Sequence, residues 1–262
     1  MPVSGKMKFK ASTRGTLHKD MFFTRPVSIS FDTAEYDRSA DIKVQVIIEP
    51  SAVIGESRMK SFINDSSNFD IILAWNQEVL DKCDNSYFFP FGSTWIDESD
   101  RKIFGKKKIV SLLASHKTIA EGHKLRHSFI EKVEDGIVDF YGTSVNNNVD
   151  NKITALKDYM FSIVIENTSD RNWFTEKIID CMVTGTIPIF WGCENIGDFF
   201  NKNGIIDVKN EEELLNIVAA LDQGMYELRR SAIKDNFYNA LRYCDFYDRL
   251  EKVIRQNIRD LA

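Results

Sequence analysis

Six short apolar runs rich in β-branched residues punctuate the chain, at 44–48, 69–74, 109–114, 138–141, 161–165 and 187–191. Runs of that length and composition read as buried strands. Between them the apolar positions switch to a helical period. Leu125, Phe129, Ile130 and Val133 recur at i, i+4, i+5 and i+8, and Ile178, Ile179, Met182 and Val183 share one face of another helix. Segments 211–221 and 225–258 read as helical too. Strands that alternate with helices predict parallel sheets covered on both faces, so the expected fold class is α/β. The first 40 residues carry only weak signals and receive no assignment.

The charged, Gly-containing segment 93–108 is the natural divide. It predicts two units, a small one over 1–100 and a fuller one over 101–262 that includes the terminal helices. Two facing units of this kind place a ligand cleft at the carboxyl ends of their strands.

Composition narrows the function. The chain has 262 residues, 43% of them hydrophobic and 28% charged, which excludes bulk disorder. The net charge of −5 is spread evenly, with 13 Lys/Arg against 15 Asp/Glu up to residue 105 and 21 against 24 beyond it. Neither half has the basic excess that binding a phosphate backbone needs, so no nucleic-acid partner is expected. The charge-free stretch 181–193 is too short to span a bilayer and contains Gly185 and Pro188. No integral membrane segment is expected. The N-terminus lacks the apolar core of a signal peptide. Cys83, Cys181, Cys193 and Cys244 show no Cys-x-x-Cys spacing, so the expectation is a soluble cytoplasmic protein with reduced thiols.

Absent motifs also decide something. There is no Gly-x-Gly-x-x-Gly, P-loop or Gly-x-Ser-x-Gly, and no two aspartates lie two residues apart to clamp a metal. His123 and His127 have the spacing of a zinc pair but no third ligand, and read as an ordinary helix face. No metal site is expected.

The densest chemistry lies in 159–208. The strand 161–165 ends abruptly in Glu166-Asn167, a polar loop follows, and Thr175 reads as the N-cap of a helix whose first turn holds Glu176 and Lys177. Gly185 ends that helix, and the strand 187–191 follows at once. Free N–H groups, the helix dipole and a lysine together make an anion site, with Glu176 and the flat Trp173 beside it. On spacing alone, an ordinary capped βαβ unit with solvated Glu and Lys fits as well.

The run Phe161-Ser162-Ile163-Val164-Ile165-Glu166-Asn167, then Thr175-Glu176-Lys177, then Thr186-Ile187-Pro188-Ile189-Phe190-Trp191-Gly192 resembles the donor-binding domain of the α1,3/1,4-fucosyltransferases. Looser matches extend it to about residues 43–208: Ser111 to Ser115, Arg126 with Phe129, Phe140-Tyr141-Gly142, Ile47-Ile48-Glu49-Pro50, Phe69-Asp70, and Phe89-Pro90-Phe91-Gly92. The resemblance implies a GT-B-like fold of two Rossmann-like units facing a cleft, with an abbreviated N-terminal unit. It implies an inverting, metal-independent glycosyltransferase that moves fucose from GDP-fucose, or the sugar of another GDP-sugar, to a glycan acceptor hydroxyl, with no cofactor besides that donor.

Residue roles follow by the same resemblance. Arg126 and Lys177 would neutralise the diphosphate, and Asn167 and Glu176 would bind ribose or sugar hydroxyls. Trp173, where the family has Tyr, would pack on the donor, and Ser115 would stand near the nucleobase. Glu49 would be the general base. The competing expectation is a non-catalytic nucleotide-sugar or glycan-binding protein that retains the donor-binding half.

Overall fold

The structure, a computed structural model, describes residues 22–23 and 25–260, together with the two-residue strands 5–6 and 10–11. Contacts divide the chain into two compact units, Met1–Phe91 with Phe246–Ala262, and Gly92–Asp245.

In the first unit, strands β1 (Lys10–Ala11), β2 (Val27–Phe31), β3 (Ile42–Val46), β4 (Ile71–Ala74) and β5 (Ser86–Phe88) lie side by side in chain order. Every pairing in this sheet is parallel. Both faces are covered, so the central strands are buried almost throughout, polar Ser28, Ser30 and Gln45 included. Met59 and Phe62 of α1 (Glu56–Asn64) and Val79 of α2 (Gln77–Lys82) pack with Ile72 and Ala74 on one face. On the other, Ile29, Val44, Val46, Ile71 and Leu73 meet Phe246, Leu250 and Ile254. Those three residues recur at i, i+4 and i+8 along the terminal helix, Phe246–Asp260. Arg249 fastens the same helix to the exit of β5, donating to the Phe91 carbonyl at 3.1 Å and stacking 4.9 Å from the Phe89 ring centroid.

The second unit holds β6 (Lys108–Leu113), β7 (Asp139–Tyr141), β8 (Tyr159–Ile165), β9 (Ile187–Trp191) and β10 (Ile206–Asp207), in the all-parallel order β10-β9-β8-β6-β7. Helices α3 (Glu121–Lys132) and α5 (Glu211–Ala219) cover one face through Phe129, Leu214 and Val218. Helices α4 (Glu176–Met182) and α6 (Arg230–Leu241) cover the other through Ile178, Ile179, Met182 and Ala240. The chain leaves β6 for β7 on one side and returns to β8 on the other. The carboxyl ends of β6 and β8 therefore form the topological switch point at which such sheets bind ligands.

Three expectations need adjustment. The helical stretch 225–258 is broken into Gln223–Glu227, α6 and the terminal helix. The compact units divide after Phe91 rather than near residue 100, and the terminal helix belongs with the first unit because its apolar stripe completes that core. The unassigned N-terminal stretch contains β1 and β2, and part of it lies outside the described residues. Among the described residues no helix is long and apolar enough to cross a membrane.

Leu250 is fully buried in the core of the first unit. Leu250→Ala should destabilise that unit by about 2–5 kcal/mol through lost transfer energy and the cavity left behind. Urea denaturation checks this, with exposed Lys252→Ala as a control expected within about 0.5 kcal/mol of wild type.

Candidate active site

β8 is buried along its whole length, and its ladder with β9 continues one residue further, Glu166 N–H donating to the Trp191 carbonyl at 2.9 Å. The chain thereby carries a carboxylate to 0% exposure. An ionised carboxylate there needs both a charge partner and hydrogen bonds. It has both. Glu166 Oε1 accepts from the backbone N–H and the hydroxyl of Thr175, each at 2.8 Å. Oε2 accepts from Lys177 Nζ and from Thr175 Oγ1, each at 2.9 Å. Thr175 is the N-cap of α4, as the sequence predicts, so the carboxylate ties the strand end to the positive end of the following helix.

The β8–α4 loop is held from the other side as well. Ser169 Oγ donates to the Gly192 carbonyl at 2.7 Å. Asn172, at φ +64°, donates its N–H to Asn195 Oδ1 at 2.7 Å, and Asn195 Nδ2 returns a bond to Asn172 Oδ1 at 2.8 Å.

Helix α3 arrives at the same place. Gly122 N–H donates to the Asn167 carbonyl at 3.0 Å, and a Cβ at Gly122 would stand 1.7 Å from the Glu166 carbonyl oxygen. A Cβ at Gly192 would stand 2.8 Å from Glu166 Cγ. One turn into α3, Arg126 is 5% exposed and donates through Nη2 to Asn167 Oδ1 at 3.0 Å. Among the described residues its buried Nε has no hydrogen-bond partner. A buried guanidinium N–H left without an acceptor is rare and marks a place where an acceptor is missing.

A second ring of charge surrounds α4. Lys152 Nζ lies 3.1 Å from Asp180 Oδ2, 3.5 Å from Glu176 Oε1 and 4.9 Å from the centroid of the Trp95 ring. Burial pushes the Glu176 carboxyl up, but Lys177 and Lys152 outweigh it and hold the pKa down at about 2. Stability from this depressed carboxylate is fully present above its unfolded value of about 4.5 and is lost as pH falls toward 2. Burial pulls Lys177 down, yet Glu166 and Glu176 carry it above the ordinary lysine value, so it remains a cation at neutral pH.

The structure brings Arg126, Asn167, Glu176 and Lys177 together at the carboxyl end of β8, and Ser115 lies half-buried just beyond β6. Two of these differ from their expected surroundings. Lys177 is not a solvated cation but is shared with Glu166, and Glu176 is engaged with Lys152 and Lys177. Trp173 is 1% exposed, so its indole is enclosed rather than offering an open face. Glu49 lies in the first unit, three residues beyond β3, and is half-buried. Its N–H and that of Ile48 both point to Asp32 Oδ1, at 3.2 and 2.8 Å.

The profile described as glycosyltransferase family 10 (fucosyltransferase) C-term matches residues 103–255, more than half of the chain. The chain belongs to this family. Among family relatives, the α-(1,3)-fucosyltransferase FucT of Helicobacter pylori is 33% identical over 132 residues, 48% of this chain and 26% of that protein. An α-(1,4)-fucosyltransferase of Arabidopsis thaliana is 36% identical over 53 residues, 20% of this chain and 13% of that one. The chain thus spans about a quarter or less of the length of these curated relatives. In fold, HepE of Anabaena, solved with UDP and glucose, superposes with a TM-score of 0.58 at 10% identity, covering 84% of this chain and 72% of that one. The family 10 chain is an α/β protein of the GT-B type.

Sequence reasoning assigned no role to Glu166, Gly122, Gly192 or Lys152. Glu166 left one trace: it is a lone carboxylate that closes seven buried residues. The glycines gave none, because what each must clear lies far away along the chain.

Gly122→Ala should destabilise the second unit by roughly 3 kcal/mol or more, since the clash is with backbone that cannot swing aside. Gly105→Ala, where a Cβ would meet nothing within 4 Å, is the matched control. Urea denaturation of the pair separates the two.

Proposed function

We propose that this family 10 chain is an inverting glycosyltransferase that moves fucose from GDP-fucose to a hydroxyl of a glycan acceptor, without a metal ion. The observation that carries the reading is Arg126: a buried guanidinium with an unpartnered Nε, on the family-matched segment, at the switch point of a parallel sheet. Family membership and the names of the relatives support fucose as the sugar.

In this reaction the acceptor oxygen attacks the anomeric carbon, a new C–O bond forms, and the bond from that carbon to the β-phosphate oxygen breaks. GDP leaves with the electron pair. Positive groups fixed in advance where that charge develops supply the stabilisation. Here these are Arg126, Lys177 and the N–H groups at the start of α4. Lys177 already donates to Glu166 and Thr175, and an ammonium has three donors, so one remains for a phosphate oxygen. Asn167 and Glu176 take hydroxyls of the ribose or sugar, and Ser115 the base. Trp173 acts as buried support behind the donor. The absence of an Asp-x-Asp motif in the sequence supports a scheme with protein cations alone.

Arg126→Ala should weaken GDP binding by about 10- to 100-fold, the worth of one charge-assisted contact. Titration calorimetry measures it, and transfer from GDP-fucose to a glycan panel in EDTA accompanies it. Unchanged affinity would remove the donor-site assignment, dependence on Mn²⁺ or Mg²⁺ would remove the metal-free scheme, and binding without turnover across a broad panel would favour a glycan- or nucleotide-sugar-binding protein. Lys177→Ala is a poorer probe, because it also strips Glu166 of its charge partner.

The proton of the acceptor hydroxyl goes to Glu49. A positioned base is worth roughly 10²–10⁴-fold in rate. Glu49→Gln keeps the shape but cannot accept the proton, so turnover should fall by about two to four orders of magnitude while GDP affinity stays within a factor of two. Rate and affinity measured on the same folded variant decide it: full activity moves the base elsewhere, and lost GDP binding gives Glu49 a structural role.

A further inference from the structure

The first turn of α3 contains a histidine that the donor reading has not used. His123 is 6% exposed, and its Nδ1 accepts the backbone N–H of Ala120, the residue before the helix, at 3.0 Å. A ring nitrogen that accepts an N–H carries its lone pair there, so the single proton of the neutral ring sits on Nε2. The backbone bond therefore fixes the tautomer and turns an N–H donor toward the opposite side.

Building on the donor site proposed above, we propose that His123 is a further donor-binding residue, whose Nε2–H donates to a phosphate oxygen of the nucleoside diphosphate while Nδ1 caps α3. Arg126 lies three residues on, on the same face of the helix, and its Nε is the buried donor without a partner. Lys177 comes to the same place from α4. Burial, together with the positive charges of Arg126, Lys117 and Lys177 and the neighbouring His127, holds the His123 pKa down at about 4. The ring is thus a neutral donor set among cations, an environment that repels a further proton and suits an anion.

The position itself sharpens the point. Three residues after the cap, helices commonly use Glu or Gln to accept the cap N–H. Glu would satisfy Ala120 equally well, yet it would set a carboxylate against the incoming phosphates. Histidine gives the backbone its acceptor and gives the ligand a donor, with no charge of its own.

Three substitutions separate the capping role from the binding role. His123→Gln keeps the acceptor and offers an amide donor, His123→Glu keeps the acceptor but adds a negative charge, and His123→Ala removes both. If His123 meets the diphosphate, GDP affinity by calorimetry should follow wild type ≈ Gln > Ala > Glu, with Ala weaker by about 3- to 10-fold and Glu by about 30-fold or more. Melting temperature should instead group wild type, Gln and Glu together above Ala. Affinity that merely tracks melting temperature across the set, or a Glu variant that binds GDP like wild type, overturns the proposal. Two-bond ¹⁵N–¹H spectra at pH 7 should show the neutral Nε2–H form, and a ring protonated on Nδ1 overturns it too. Arg126→Ala is titrated alongside. If that variant loses affinity and His123→Glu does not, only the His123 inference fails; if neither loses affinity, the donor site itself is misplaced.

Discussion

The second unit depends on one buried carboxylate. Removing Glu166 from water costs several kcal/mol unless its charge is matched and its lone pairs are filled. Everything around it follows from that demand. The residue opening α4 must bring a hydroxyl, which Thr175 does, and the first turn must bring a cation, which Lys177 does. Backbone from α3 and from the end of β9 must come close without side chains, hence Gly122 and Gly192. The result is that the start of α4 and the start of α3 are locked against a single strand end before any ligand arrives. A site of this kind does not spend binding energy on ordering itself.

That locking also divides the labour between the two cations. Lys177 sits between Glu166 and Glu176, so much of its charge is already answered inside the protein. Arg126 feels the Glu166 and Glu176 charges only at longer range; its side-chain hydrogen bond goes to a neutral partner, Asn167, and among the described residues its Nε–H is unused. The field available to an incoming anion therefore comes more from Arg126 and from the helix N-termini than from the lysine. Motif reading treats Arg126 and Lys177 as equivalent, whereas their surroundings bind the lysine into the Glu166 hub and leave the arginine with an N–H to spare.

Much of the fold was legible because the second unit is built from short apolar strands separated by helical periods, and all six runs read as strands become strands. The cap at Thr175 was legible for a local reason, since a hydroxyl just before an apolar helical stripe is a start signal. β2 escaped because serines alternate with its apolar residues, and a strand with Ser28 and Ser30 does not look buried. Those serines are nevertheless covered: Ser28 Oγ accepts from Asp37 N–H at 3.0 Å, and Ser30 donates to the Glu35 carbonyl. The terminal helix shows its stripe in the sequence, but which sheet that stripe serves is a tertiary fact, settled by Phe246, Leu250 and Ile254 meeting Val44 and Leu73. The Glu166 hub needed coordinates for the same reason. Its partners at 175 and 177 are near in sequence, while Gly122 and Gly192 lie about 44 and 26 residues away, and no local rule connects them.

The carboxylates of the two units are treated differently. Around Glu166 the contacts from Thr175 and Lys177 are short, 2.8–2.9 Å, and the charge is paired. At the end of β2 the opposite holds: Asp32 takes a left-handed backbone at φ +49°, which a residue other than glycine adopts at some cost. Burial lifts its pKa to about 7, against the pull of the Ile48 and Glu49 N–H groups and with the push of the Glu49 charge. Because the folded value stands above the unfolded one, the contribution is fully present below about pH 3.8 and is lost as pH rises through 7. Near neutrality Asp32 thus works against stability, at the end of β2, where it accepts the Ile48 and Glu49 N–H groups that follow the neighbouring strand β3. Local costs of this kind persist where surrounding structure imposes them and gather at sites that do chemistry. Glu166 in the second unit shows the opposite arrangement, with its charge paired to Lys177 and its oxygens filled by Thr175.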